Sequence, residues 1–143
     1  MRRFLSLIPA LLSLSMAAAT AHAADLIVTV KDVSNTKGNI LIAVYDQSNF
    51  GKPELAKIRQ RAKASNGSVK FVFHNLPAGT YAVSAFHDEN GNNKLDRNSL
   101  GVPSEGYGFS NDAQGTAGPP TFSQAEFTTD GKTDKSIDFS LNY

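Results

Sequence analysis

Thr80-Tyr81-Ala82-Val83-Ser84-Ala85-Phe86 runs directly into His87-Asp88-Glu89-Asn90-Gly91-Asn92-Asn93-Lys94-Leu95-Asp96, and this junction decides how the chain folds. The first part is the most apolar strand signal in the sequence. Tyr81, Val83 and Ala85 fall on one face, with Ala82, Ser84 and Phe86 on the other, because successive strand side chains point to opposite sides. The second part is polar and turn-forming, with oxygen-bearing side chains at Asp88, Asn90, Asn92 and Asp96. The pivot of the fold is therefore a strand that ends in a tight polar loop.

Upstream, Val69, Phe71 and Phe73 alternate with Lys70, Val72 and His74, which predicts a strand with its odd positions facing the core. Leu76-Pro77-Ala78-Gly79 makes a tight connection, so these two strands are expected to pair as a hairpin. Asn66-Gly67 marks the preceding turn. Pro53 to Lys63 reads either as one helical face (Leu55, Ile58, Ala62) or as an alternating strand. One short turn followed by an edge strand is favoured, since basic residues on an edge discourage edge-to-edge pairing. Leu26 to Val30 and Ile40 to Tyr45 are rich in β-branched residues and flank Asn35-Thr36-Lys37-Gly38, which reads as a hairpin. Downstream, Phe122 to Thr128 and Ser136 to Leu141 alternate around Asp130-Gly131-Lys132. About seven strands and no convincing helix predict an all-β fold, a single antiparallel β-sandwich with one long Gly-rich loop from Asp96 to Pro120.

Residues 1–23 have the pattern of an export signal: Arg2 and Arg3, an apolar core from Phe4 to Met16, and Ala21-His22-Ala23 as a small-x-small cleavage site. Pro9, Ser13 and Ser15 interrupt the core, which argues against a membrane anchor, and no span is expected in the mature chain. The domain is then expected over residues 24–143, periplasmic or secreted. With no cysteine, neither a disulfide nor an N-terminal lipid is expected, and packing or a bound ion must hold the fold. Removing Arg2 and Arg3 leaves 12 bases against 13 acids, a net charge of −1 that argues against a nucleic-acid partner. The charge is bipolar: residues 24–87 carry 8 bases and 4 acids, residues 88–143 carry 4 bases and 9 acids.

Hard cations take six to eight oxygens, which a tight loop can supply from alternate residues. Aligned on an EF-hand-type loop, Asp88, Asn90 and Asn92 take the first three ligand positions, the Lys94 carbonyl the fourth and Asp96 the fifth. Asn93 stands where such loops prefer glycine, and Ser99 stands where the bidentate glutamate belongs. Glu105 or Asp112 would have to fold back in its place. The spacing suits a weak Ca2+ site better than magnesium, which demands octahedral geometry. Asp, Asn and Gly are equally the residues of an Asx-turn network that needs no metal. Asp88→Asn should separate the two by removing the calcium response while sparing the metal-free fold.

Within the long loop, Tyr107 and Phe109 lie between glycines, and read either as a cap on the open end of the sandwich or as a ligand platform for a sugar or peptide. His74 and His87 sit at far ends of adjacent strands, which leaves no zinc site or His-based catalytic group. No serine has a nucleophile-elbow context.

The run Leu76-Pro77-Ala78-Gly79-Thr80-Tyr81-Ala82-Val83 into His87-Asp88-Glu89-Asn90-Gly91-Asn92 resembles a bacterial secreted family known as domain of unknown function 2141. Gly101 to Asn111 and the closing Ala125-Glu126-Phe127 also match it. The resemblance implies a small exported β-domain similar to prealbumin-like or carboxypeptidase-regulatory sandwiches, and no activity or catalytic residue. The expected function is a non-catalytic binding or accessory module for a small molecule, glycan or protein, its long loop ordered by the weak calcium site. The alternative is an envelope carbohydrate hydrolase using Glu89, Asp96 or Glu105.

Overall fold

The computed structural model describes residues 23–143; the expected leader lies outside the described residues except for Ala23. Among the described residues, eight strands form two sheets. β1 (Leu26–Val33), β4 (Gly67–Phe73) and β8 (Lys135–Ser140) make the first, in the order β4-β1-β8. The second runs β3-β2-β5-β6, built from β2 (Asn39–Tyr45), β3 (Ile58–Lys63), β5 (Gly79–Asp88) and β6 (Tyr107–Phe109). β7 (Phe127–Thr129) pairs with the start of β5, placing Tyr81 opposite Phe127.

Both sheets turn an apolar face toward one core. Leu26, Val28, Val30, Phe71, Phe73 and Phe139 of the first meet Ile40, Ile42, Val44, Val83 and Ala85 of the second. The odd positions of β4 face inward, as its alternation predicts, and Val83 and Ala85 of β5 do the same. Phe139 is fully buried, and burying a side chain of that kind contributes about 1.5–3 kcal/mol.

The expected hairpins do not form. β1 pairs antiparallel with β4 and parallel with β8, whereas β2 pairs with β3 and β5. The turn after β1 therefore carries the chain from one sheet to the other, helped by a register shift between Lys31 and Val33 and a left-handed Asp32 (φ 57°). Leu76 to Gly79 likewise crosses between sheets, with Leu76 buried and its amide bonded to the Ala24 carbonyl. A turn motif shows where a chain reverses; which strand receives it depends on where the apolar faces can both be buried. The parallel β1–β8 pair also departs from the purely antiparallel expectation.

Two local readings need correction. Phe122 to Thr128 is not one strand: α1 (Phe122–Ala125) precedes β7, with Thr121 and Gln124 forming a capping box. That Thr-x-x-Gln signature was legible and outweighs the short alternation beside it. The long loop also contains β6, a short strand within the segment expected to be irregular.

Pro53 opens a single 3-10 turn, Pro53–Leu55, and β3 is the edge strand that the basic alternation predicts. Ile58 and Ala62 pack against the core while Arg59, Arg61 and Lys63 are exposed. Gln60 Nε2 donates to the Val72 carbonyl at 2.7 Å and ties β3 to the other sheet. Among the described residues no helix is long and apolar enough to cross a membrane.

Candidate functional site: the loop from Asp88 to Glu105

β5 ends at Asp88, opposite Asn39 of β2, and the following loop leads back to β6, which pairs antiparallel with β5. Asp88 is fully buried. Its Oδ1 accepts the Asn92 amide at 3.1 Å and its Oδ2 the Asn93 amide at 2.9 Å. Asn93 adopts the left-handed conformation (φ 62°), which asparagine tolerates better than most residues.

Asn90, Asn92 and Asp96 converge. Asn90 Nδ2 donates to Asp96 Oδ2 at 2.6 Å, and Asn92 Nδ2 donates to both Asp96 oxygens at 2.9 and 3.0 Å. The carbonyl oxygens of the same amides close Asx turns: Asn90 Oδ1 accepts Asn92 N and Asn92 Oδ1 accepts Lys94 N. Glu105, 6% exposed, returns to the loop from the far side. Its Oε1 accepts the Glu89 amide and its Oε2 the Asp96 amide, each at 3.1 Å. Ser104 N to Asp96 O and His87 N to Gly106 O complete the closure.

Of the expected ligands, Asp88, Asn90, Asn92, Lys94 and Asp96 thus share one loop, and Glu105 joins them. Asp112 does not, because its carboxylate accepts the Ser140 amide at 2.7 Å, beside β8. Among the described residues no group of three or more His, Asp or Glu side chains is gathered to hold a metal.

The loop rests on a close backbone approach. A Cβ on Gly38 would lie 1.9 Å from the Asp88 carbonyl oxygen, and Gly38 has φ 63°. Beside it, His87 is fully buried: Nε2 lies 2.7 Å from the Lys37 carbonyl and Nδ1 2.8 Å from the Tyr143 hydroxyl. A carbonyl only accepts, so Nε2 carries the proton in the neutral ring and Tyr143 donates to Nδ1. Tyr143 Oη in turn accepts the Ser34 amide. This structural role for His87 was hidden because its partners lie 50 and 56 residues away. His74 is exposed at the end of β4 and bonds Asp25 instead.

Tyr107 and Phe109 do not fold between the sheets; Gly108 faces inward, where a Cβ would meet Ser140 O at 2.4 Å. Both rings lie half-buried on the outer face, 6.3 Å apart between centroids. Phe109 continues edge-to-face onto Phe50, which also meets Tyr45 and Phe122.

Elsewhere, exposed turns lower carboxylate pKa values by hydrogen bonding. The Ser48 hydroxyl does this to Asp46, and the Thr133 amide leads the same effect on Asp130. Burial raises the Tyr45 and Tyr81 hydroxyls.

Two sheets over one core, with a carboxylate-clasped loop at the end of β5, define a β-rich domain. The chain belongs to DUF2141, a family of uncharacterized proteins conserved in bacteria, whose family model matches residues 28–137. No curated protein and no solved structure matches it.

Proposed function

We propose that the chain is an exported, non-catalytic binding or accessory module of β-sandwich architecture, periplasmic or secreted, whose 88–105 loop is ordered by a weak calcium site. The observation that carries this reading is the convergence of Asn90, Asn92 and Asp96 beside Asp88. Weakness follows from the same bonds. To offer oxygen to a cation, both amides must rotate and release the Asn92 and Lys94 amides they now accept. A site on the order of 10⁻⁴ to 10⁻³ M results, as in extracellular modules. The hydrolase alternative has less support, since Glu105 is buried with both oxygens engaged by backbone amides.

A ligand bound only to the folded state at a hundredfold over Kd stabilises it by about 2.7 kcal/mol. Calcium at about 10 mM should therefore raise the melting temperature by several degrees for a Kd near 10⁻⁴ M. Absence of a shift would remove the calcium site, and the Asx-turn network would stand alone; turnover on a glycan panel would establish the hydrolase. Export is tested separately: intact mass should place the mature N-terminus at or near Ala24, and an uncleaved leader on exported protein would contradict it.

A further inference from the structure

We infer that the outer face of the five-stranded sheet binds an acidic polysaccharide, its carboxylates held along β3 and its sugar rings laid on Tyr107 and Phe109. This rests on the reading of the domain as a binding module and does not need the calcium site.

Strand register aligns the surface in rows. Arg61 stands opposite Leu41, Leu41 opposite Phe86, and Phe86 opposite Tyr107. Arg59 leads in the same way through Ala43 and Ser84 to Phe109. Each row thus has a guanidinium at one end and an aromatic ring at the other, with Leu41 and Phe86 between them in the first and the smaller Ala43 and Ser84 in the second. Three strand spacings separate the ends, about 14 Å. The loop at Asn93 bounds one end of the face and the Phe50–Phe109–Phe122 rings the other.

The charges are available. Among the described residues no ion pair engages Arg59, Arg61 or Lys63. Arg61 makes one side-chain bond, Nη1 to Asn93 Oδ1 at 2.8 Å, leaving most of its five donors for a planar anion. All three are exposed, and alternate strand residues set them about 6.7 Å apart, a line of charge rather than a pocket. An extended polyanion fits a line.

The aromatics choose among polyanions. Tyr107, Phe109 and Phe86 are half-buried, and the Tyr107 and Phe109 planes stand 77° apart, so one ring offers a face and the other an edge to a sugar ring beside them. A lipid surface would call for protruding apolar side chains, and the most exposed of these, Leu100 at 85%, stands on the loop beyond Asp96.

The test is calorimetric titration of the mature protein with oligogalacturonate, with a neutral maltooligosaccharide of equal length, with polyglutamate and with phosphatidylglycerol vesicles. Oligogalacturonate should bind in preference to the other three. Reversing Arg59 and Arg61 together to Glu should weaken it at least about tenfold, because like charges then face each other. Tyr107→Ala should weaken it severalfold, Tyr107→Phe should retain it, and Lys70→Glu on the other sheet should change little. All variants should melt within a few degrees of wild type. No oligogalacturonate binding, or binding indifferent to the arginine pair, overturns the inference. Equal binding of polyglutamate with Tyr107→Ala neutral reduces the face to bare charge and also overturns it. Binding of vesicles alone replaces the polysaccharide with a lipid surface. The calcium shift reports on the loop whichever result is found.

Discussion

Asp88→Asn is expected to lower the melting temperature of the metal-free protein by on the order of 10 °C. Asparagine offers one acceptor oxygen where Asp88 offers two, and its amide nitrogen would then point at either the Asn92 or the Asn93 N–H. The Asn92 N–H keeps its bond to Asn90 Oδ1 in either orientation, so the cost of about 1–3 kcal/mol comes from a buried bond replaced by an amide nitrogen facing an N–H, and the loss of charge weakens the bond that remains. The substitution that by spacing alone should spare the metal-free fold is therefore structural, because the carboxylate is fully buried under its own loop. Asp96→Asn is the better probe of calcium, since the Asp96 carboxylate is half-exposed and accepts only side-chain amides. Thermal melts of both variants with and without calcium decide the matter. A fall below about 2 °C for Asp88→Asn would show that the two amide bonds do not hold the loop.

Gly38→Ala should be more damaging still, costing about 3–5 kcal/mol from left-handed strain and overpacking together. The added methyl would overlap the Asp88 carbonyl oxygen, a backbone atom that cannot rotate away. Relief requires β5 to move relative to the β1–β2 connection, which would also disturb the His87 bond to the Lys37 carbonyl. Gly118→Ala is the control, with nothing within 4 Å of the new methyl. Urea denaturation should show a large loss for the first and little for the second. Equal stability of the two would mean that the close approach at Gly38 does not exist.

Both predictions concern residues that the sequence marks, yet their magnitudes come from partners that it does not. Asp88 was legible as a loop residue because Asp-x-Asn-x-Asn spacing is a local pattern. That its two oxygens face backbone amides depends on loop curvature. Glu105 could be suspected only as one of two acids able to fold back; β6 and the His87–Gly106 bond bring it to the loop and leave Asp112 at Ser140.

What the sequence by itself determined is whatever acts over a few residues. The alternation of β4 and β5, the basic edge of β3 and the turn at Pro53 all follow from period and local sterics. So do the left-handed asparagine and the Thr121–Gln124 capping box. Only the tertiary structure decided which strands pair. β1 and β2 carry interchangeable apolar faces, and either could satisfy its backbone bonds in a hairpin. Placing them in opposite sheets lets both faces close on the same core, at the cost of a bulge and a left-handed Asp32. The rows from Arg61 to Tyr107 and from Arg59 to Phe109 exist for the same reason: register is set by burial of the inner face, and the outer face inherits it.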